Sequence, residues 1–154
     1  MADTTQLKNK IEPWFRHEYL QKQYPNAEIV QKQLDLNWGG KFEFDAVIYE
    51  GGRLIAIYLL SCSEYKTING RGGAGKFHKI KSDVLMMLGT NAPKKIMAFL
   101  GESMYKQFVT QQKEGRLPQD IQGELVEPNS EIASLVHRIR DKASSEVTPS
   151  QYID

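Results

Sequence analysis

The sequence predicts an α/β (α+β) domain in which a mixed central sheet is flanked by helices. Three observations predict it. Two β-like segments, 42–49 and 53–62, meet at Gly51-Gly52. A helical pattern follows at 76–89, where Phe77, Ile80, Val84 and Met87 recur at i, i+3, i+7 and i+10. Short apolar strands and amphipathic helices then alternate as far as residue 142.

Each element has a local cause. Residues 5–23 carry Leu7, Ile11, Trp14 and Phe15 on one helical side, and Pro13 predicts a kink or a restart there. Residues 28–36 read as a strand, and Asn37-Trp38-Gly39-Gly40 as the turn that ends it. Gly51-Gly52 suits a two-residue hairpin, because both central positions accept positive φ. The glycine-rich stretch 69–75 separates the third strand from the helix at 76–89. A buried strand at 95–100, a helix at 102–114 closing near Gly115, a strand at 121–126 and a helix at 130–142 complete the order. Residues 1–143 therefore read as one domain, and 144–154 as a polar tail.

Of the 154 residues, 40% are hydrophobic and 25% charged, a balance that suits a chain with one buried core. The net charge of +1 does not by itself announce nucleic acid, but its distribution is uneven. Between Glu64 and Asp83 five cations (Lys66, Arg71, Lys76, Lys79, Lys81) face two acids. Cys62 is the only cysteine, so an internal disulfide and a cysteine-built zinc site are both excluded. The first residues lack an apolar signal core and no apolar run approaches ~20 residues. The expectation is a cytoplasmic chain with no membrane and no disulfide-linked partner.

The residues that carry chemistry sit around the hairpin. Asp45 lies between Phe44 and Ala46 inside a strand, where an acid is costly without a partner. Glu64-Tyr65-Lys66 follows the third strand, and a lysine-rich helix, GKFHKIKSDVLMML, comes after the glycine-rich loop. With the order helix, three strands, helix, strand, these features resemble the PD-(D/E)XK nuclease superfamily over roughly residues 5–110. The resemblance implies a restriction-endonuclease-like αβββαβ core and hydrolysis of a DNA phosphodiester. Two acids on neighbouring strands would hold Mg²⁺ or Mn²⁺, and a lysine two residues after the second acid would orient or activate water. On that basis Asp45, Glu64, Lys66 and Lys79 are the catalytic candidates, and Asp45, Glu64 and Glu18 the metal candidates. Arg71, Gly73, Lys76, Lys79 and Lys81 are the candidates for DNA phosphates. Restriction-type relatives often work as dimers, and Trp38 with the 102–128 region could supply such a surface.

Register separates the motif as spelled from the motif as needed. If Glu50 pairs with Arg53, Asp45 falls opposite Tyr58, so the second acid belongs near 58 and the lysine near 60. Those positions hold Tyr58 and Leu60. Glu64 and Lys66 lie six residues further along, about 20 Å in an extended strand. A site with migrated groups, built from Asp45 with Lys76 or Lys79 and Glu64 or Glu18, is the alternative arrangement. Two readings therefore stand together: a metal-dependent endonuclease with an atypical site, and a catalytically degenerate nuclease fold kept for DNA binding or assembly.

A third reading comes from Gly70 to Phe77. It follows a strand, opens a helix and nearly matches a phosphate-cradling GxxxxGK[ST] loop, with Phe77 in place of the hydroxyl. That would make the chain a nucleotide-binding protein using loop 70–76. His17, His78 and His137 have no ligand spacing.

Overall fold

The computed structural model describes residues 5, 7–65 and 73–153, with side chains for 5, 9–65 and 73–141. Five strands form one mixed sheet: β1 (Glu28–Asp35), β2 (Lys41–Glu50), β3 (Arg53–Ser61), β4 (Lys94–Phe99) and β5 (Ile121–Leu125). They lie in the order β1-β2-β3-β4-β5. The first three form an antiparallel meander, and β4 and β5 run parallel to β3. Gly51 and Gly52 close the β2–β3 hairpin at φ +59° and +77°, with Glu50 opposite Arg53. This is the expected turn.

The first helix, α1, is a run of four consecutive pieces: Leu7–Ile11, Glu12–Trp14, Phe15–Leu20 and Gln21–Gln23. The first and third are π-helical and flank Pro13. Proline crowds the carbonyl four residues back, and a wider turn accommodates it without breaking the helix. The other helices are α2 (Ala74–Leu88), α3 (Glu102–Lys113) and α4 (Ser130–Ile153). The sequence places the end of α4 at 142, but no glycine or proline interrupts residues 131–148. The helix continues past its apolar face.

Side chains alternate across the sheet and build two cores. Ala56 and Tyr58 of β3 and Ile96 and Ala98 of β4 pack with α1 and α4, through Ile11, Phe15, Leu135 and Val136. Ile57, Leu59, Met97 and Phe99 point the other way, onto Phe77, Val84 and Met87 of α2 and Met104 and Phe108 of α3. The sheet is thus covered by helices on both faces, as expected.

Two bulges set the geometry of β2 and β3. Val30 pairs with Val47 and Lys32 with Phe44, so Gln31 faces both Asp45 and Ala46. Phe44 and Val47 consequently share a core face although they are three residues apart. On the other side Ile48 pairs with Ala56 and Tyr49 with Leu54, leaving Ile55 as the extra residue. A bulge bends its strand. The far half of the β1–β2 hairpin curls over α2, where Leu34 and Phe42 pack and Asn37 N–H donates to the Gly89 carbonyl at 2.7 Å.

Candidate functional site

The bulge at Asp45–Ala46 aims the Asp45 side chain into the gap where β2 and β3 part. Their last pair on this side is Ala46 with Tyr58. Beyond it the Leu60 N–H donates to Asp45 Oδ2 at 2.8 Å, so a carboxylate takes the place of a ladder carbonyl. Arg16 Nη1 of α1 donates to the Asp45 carbonyl at 3.0 Å and lies 3.8 Å from Glu12 Oε1. From the other side α2 brings Lys79 and Asp83, paired at 3.3 Å.

Electrostatics mark this gap. Burial pushes the Asp45 carboxyl up to about 6, against the pull of the Leu60 N–H; Glu12 and Asp83 push it further, while Lys79 opposes them. Burial also raises Asp83, with Lys79 opposing. Asp45 thus feels the charges of Glu12 from α1 and of Asp83 and the exposed Lys79 from α2 at the end of the β2–β3 pairing. Such perturbed carboxyls cluster at functional sites as well as in structural networks.

The expected register requires a correction. The Ile55 bulge moves the pairing by one residue, so Asp45 comes level with Leu59 and not Tyr58. Neither register supplies the missing groups, because residues 58–61 read Tyr-Leu-Leu-Ser. Tyr58 is a core residue. Its hydroxyl lies 2.9 Å from the Tyr24 hydroxyl, its ring packs edge-on against Phe15, and burial raises its pKa far above the ordinary phenol value.

Glu64 has a structural occupation. Its Oε1 accepts from the Ser103 N–H at 3.0 Å and from Ser103 Oγ at 2.9 Å, at the N-terminus of α3. The open N–H groups and positive dipole end of a helix favour a carboxylate there. Gly101 makes room for it: a Cβ would lie 2.6 Å from Glu64 Oε1. Arg140 of α4 completes the corner, with Nε donating to the Cys62 carbonyl at 2.7 Å and Nη1 3.9 Å from Glu64 Oε2. Burial pushes the Cys62 thiol up to about 12, so it stays protonated near neutrality.

The remaining candidates divide. Glu18 is exposed on α1, away from the buried Glu12 on the same helix. Lys66 and Arg71 lie outside the described residues. Gly73 precedes α2, where a Cβ would run into the Tyr65 carbonyl. Lys76, Lys79 and Lys81 are all exposed on α2. Phe77, at the hydroxyl position of the glycine-rich motif, is buried against Tyr65 with ring centroids 6.3 Å apart. Trp38 follows the edge strand β1, and 121–125 is the opposite edge of the sheet. A cavity of about 450 Å³, lined by Lys95, Tyr105 and Gln112, sits at the start of β4 and β5, far from Glu64 along the parallel strands.

A hard divalent cation needs convergent oxygens. Among the described residues no three His, Cys, Asp or Glu side chains come together to hold one. The expected set of Asp45, Glu64 and Glu18 is not assembled: Asp45 accepts from a strand N–H and Glu64 caps a helix. The residues do not fit a metal centre of the expected kind. Glu12 and Asp83, whose charges raise the Asp45 carboxyl, carry a signal that was legible in sequence. Each is an acid on an apolar stripe, Glu12 beside Ile11 and Phe15, and Asp83 between Ile80 and Met87.

No helix among the described residues is long and apolar enough to cross a membrane. Comparison with protein-family models, with curated proteins and with solved structures finds no match.

Proposed function

We propose that this chain is a DNA-binding protein with a PD-(D/E)XK-like, restriction-endonuclease-like fold whose metal centre is incomplete, so that it holds nucleic acid without cutting it. The observation that carries this reading is the state of the gap between β2 and β3. Asp45 stands there with its Oδ2 on the Leu60 N–H, while Tyr58, Leu59, Leu60 and Ser61 supply neither a second acid nor a lysine. Two further features support it. An antiparallel β1–β3 meander followed by a parallel β4, with helices on both faces, is the element order of that fold. The exposed Lys76, Lys79 and Lys81 on α2 offer charge to phosphates.

A second reading, a Mg²⁺- or Mn²⁺-dependent endonuclease with displaced groups, is favoured by one observation. Asp83 lies close enough to Asp45 to raise its carboxyl, with Lys79 beside both.

One experiment separates the two. Plasmid DNA is incubated with the protein and Mg²⁺ or Mn²⁺, with and without EDTA, and retardation of a duplex is followed as salt rises. Retardation that weakens with salt, without nicking, is the expected result. EDTA-sensitive cleavage that disappears in Asp45→Ala would establish the endonuclease instead. Absence of salt-dependent binding and of cleavage would remove both.

A further inference from the structure

We draw no further inference here: the strongest candidate, the cavity of about 450 Å³ at the start of β4 and β5, has no buried polar side chain in its described lining, its Gln112 and Gln119 amides already donate to main-chain carbonyls, and nothing in the structure shows what fills it.

Discussion

Asp45 concentrates the tension in this molecule between a site and a strand. Its folded-state carboxyl is raised by burial to about 6 from an ordinary 3.8. Between those values the folded protein keeps a proton that the unfolded chain has released. The stability linked to that proton is fully present below about pH 4 and is lost as pH rises through about 6. Asp45→Asn keeps an oxygen for the Leu60 N–H and removes the charge. It is expected to exceed the wild type in stability by about 1–2 kcal/mol near pH 8, and to match it near pH 4. Urea denaturation at the two pH values measures the difference, and equal midpoint shifts at both would contradict it. Glu64 gives the opposite expectation. Glu64→Ala strips the N-terminus of α3 of its carboxylate and should cost about 1 kcal/mol or more at neutral pH, with DNA retardation unchanged. Loss of binding without loss of stability would place Glu64 in the binding site after all. The sequence made Asp45 legible, because an acid between Phe44 and Ala46 asks for a partner. It could not show that the partner is a main-chain N–H, since a carboxylate standing in for a ladder carbonyl leaves no mark in the letters.

Elements decide which of these residues meet. The Gly51-Gly52 turn was readable because two adjacent glycines at positive φ specify a hairpin on their own. The Ile55 bulge was not, since β-branched and apolar neighbours fill β3 on either side of it and the pattern gives no sign of an extra residue. That one residue moved the level of Asp45 from Tyr58 to Leu59. The matching bulge at Asp45–Ala46 bends β2, carrying Trp38 onto the end of α2 and turning the hairpin from a simple sheet edge into part of a surface. Helix α2 joins both ends of this arrangement. Its inner face sets Asp83 near Asp45, and its outer face carries the lysines. Replacing Lys76 and Lys81 with Ala should weaken duplex binding and reduce the slope of log affinity against log salt by about 1 for each phosphate that is no longer neutralised. A retardation series across salt concentrations checks this. An unchanged slope would move the phosphate-binding groups off α2.

At the scale of the molecule, one sheet divides two cores that share every strand pairing from β2 to β4. Tyr58 and Ala98 face α1 and α4, while their neighbours Leu59 and Phe99 face α2 and α3. Neither layer can loosen without exposing the other face of the same strands, which predicts a single cooperative unit. The alternation of apolar residues made both layers legible in the sequence. The end of α4 was not, because its apolar stripe stops at Ile139 while its backbone continues. Trp14 reports on the α1 layer, and Phe108 is fully buried in the other. In a Trp38→Phe background, where Trp14 is the remaining indole, Phe108→Ala should destabilise the protein by about 3–5 kcal/mol. The Trp14 fluorescence transition should move with the far-ultraviolet circular dichroism transition to the same lower denaturant midpoint. A Trp14 transition left at its original midpoint while the dichroism shifts would show that the layers unfold separately. It would also detach helix α2 from the α1 side of the gap around Asp45, so that Glu12 and Asp83 act together on Asp45 only while both layers stand.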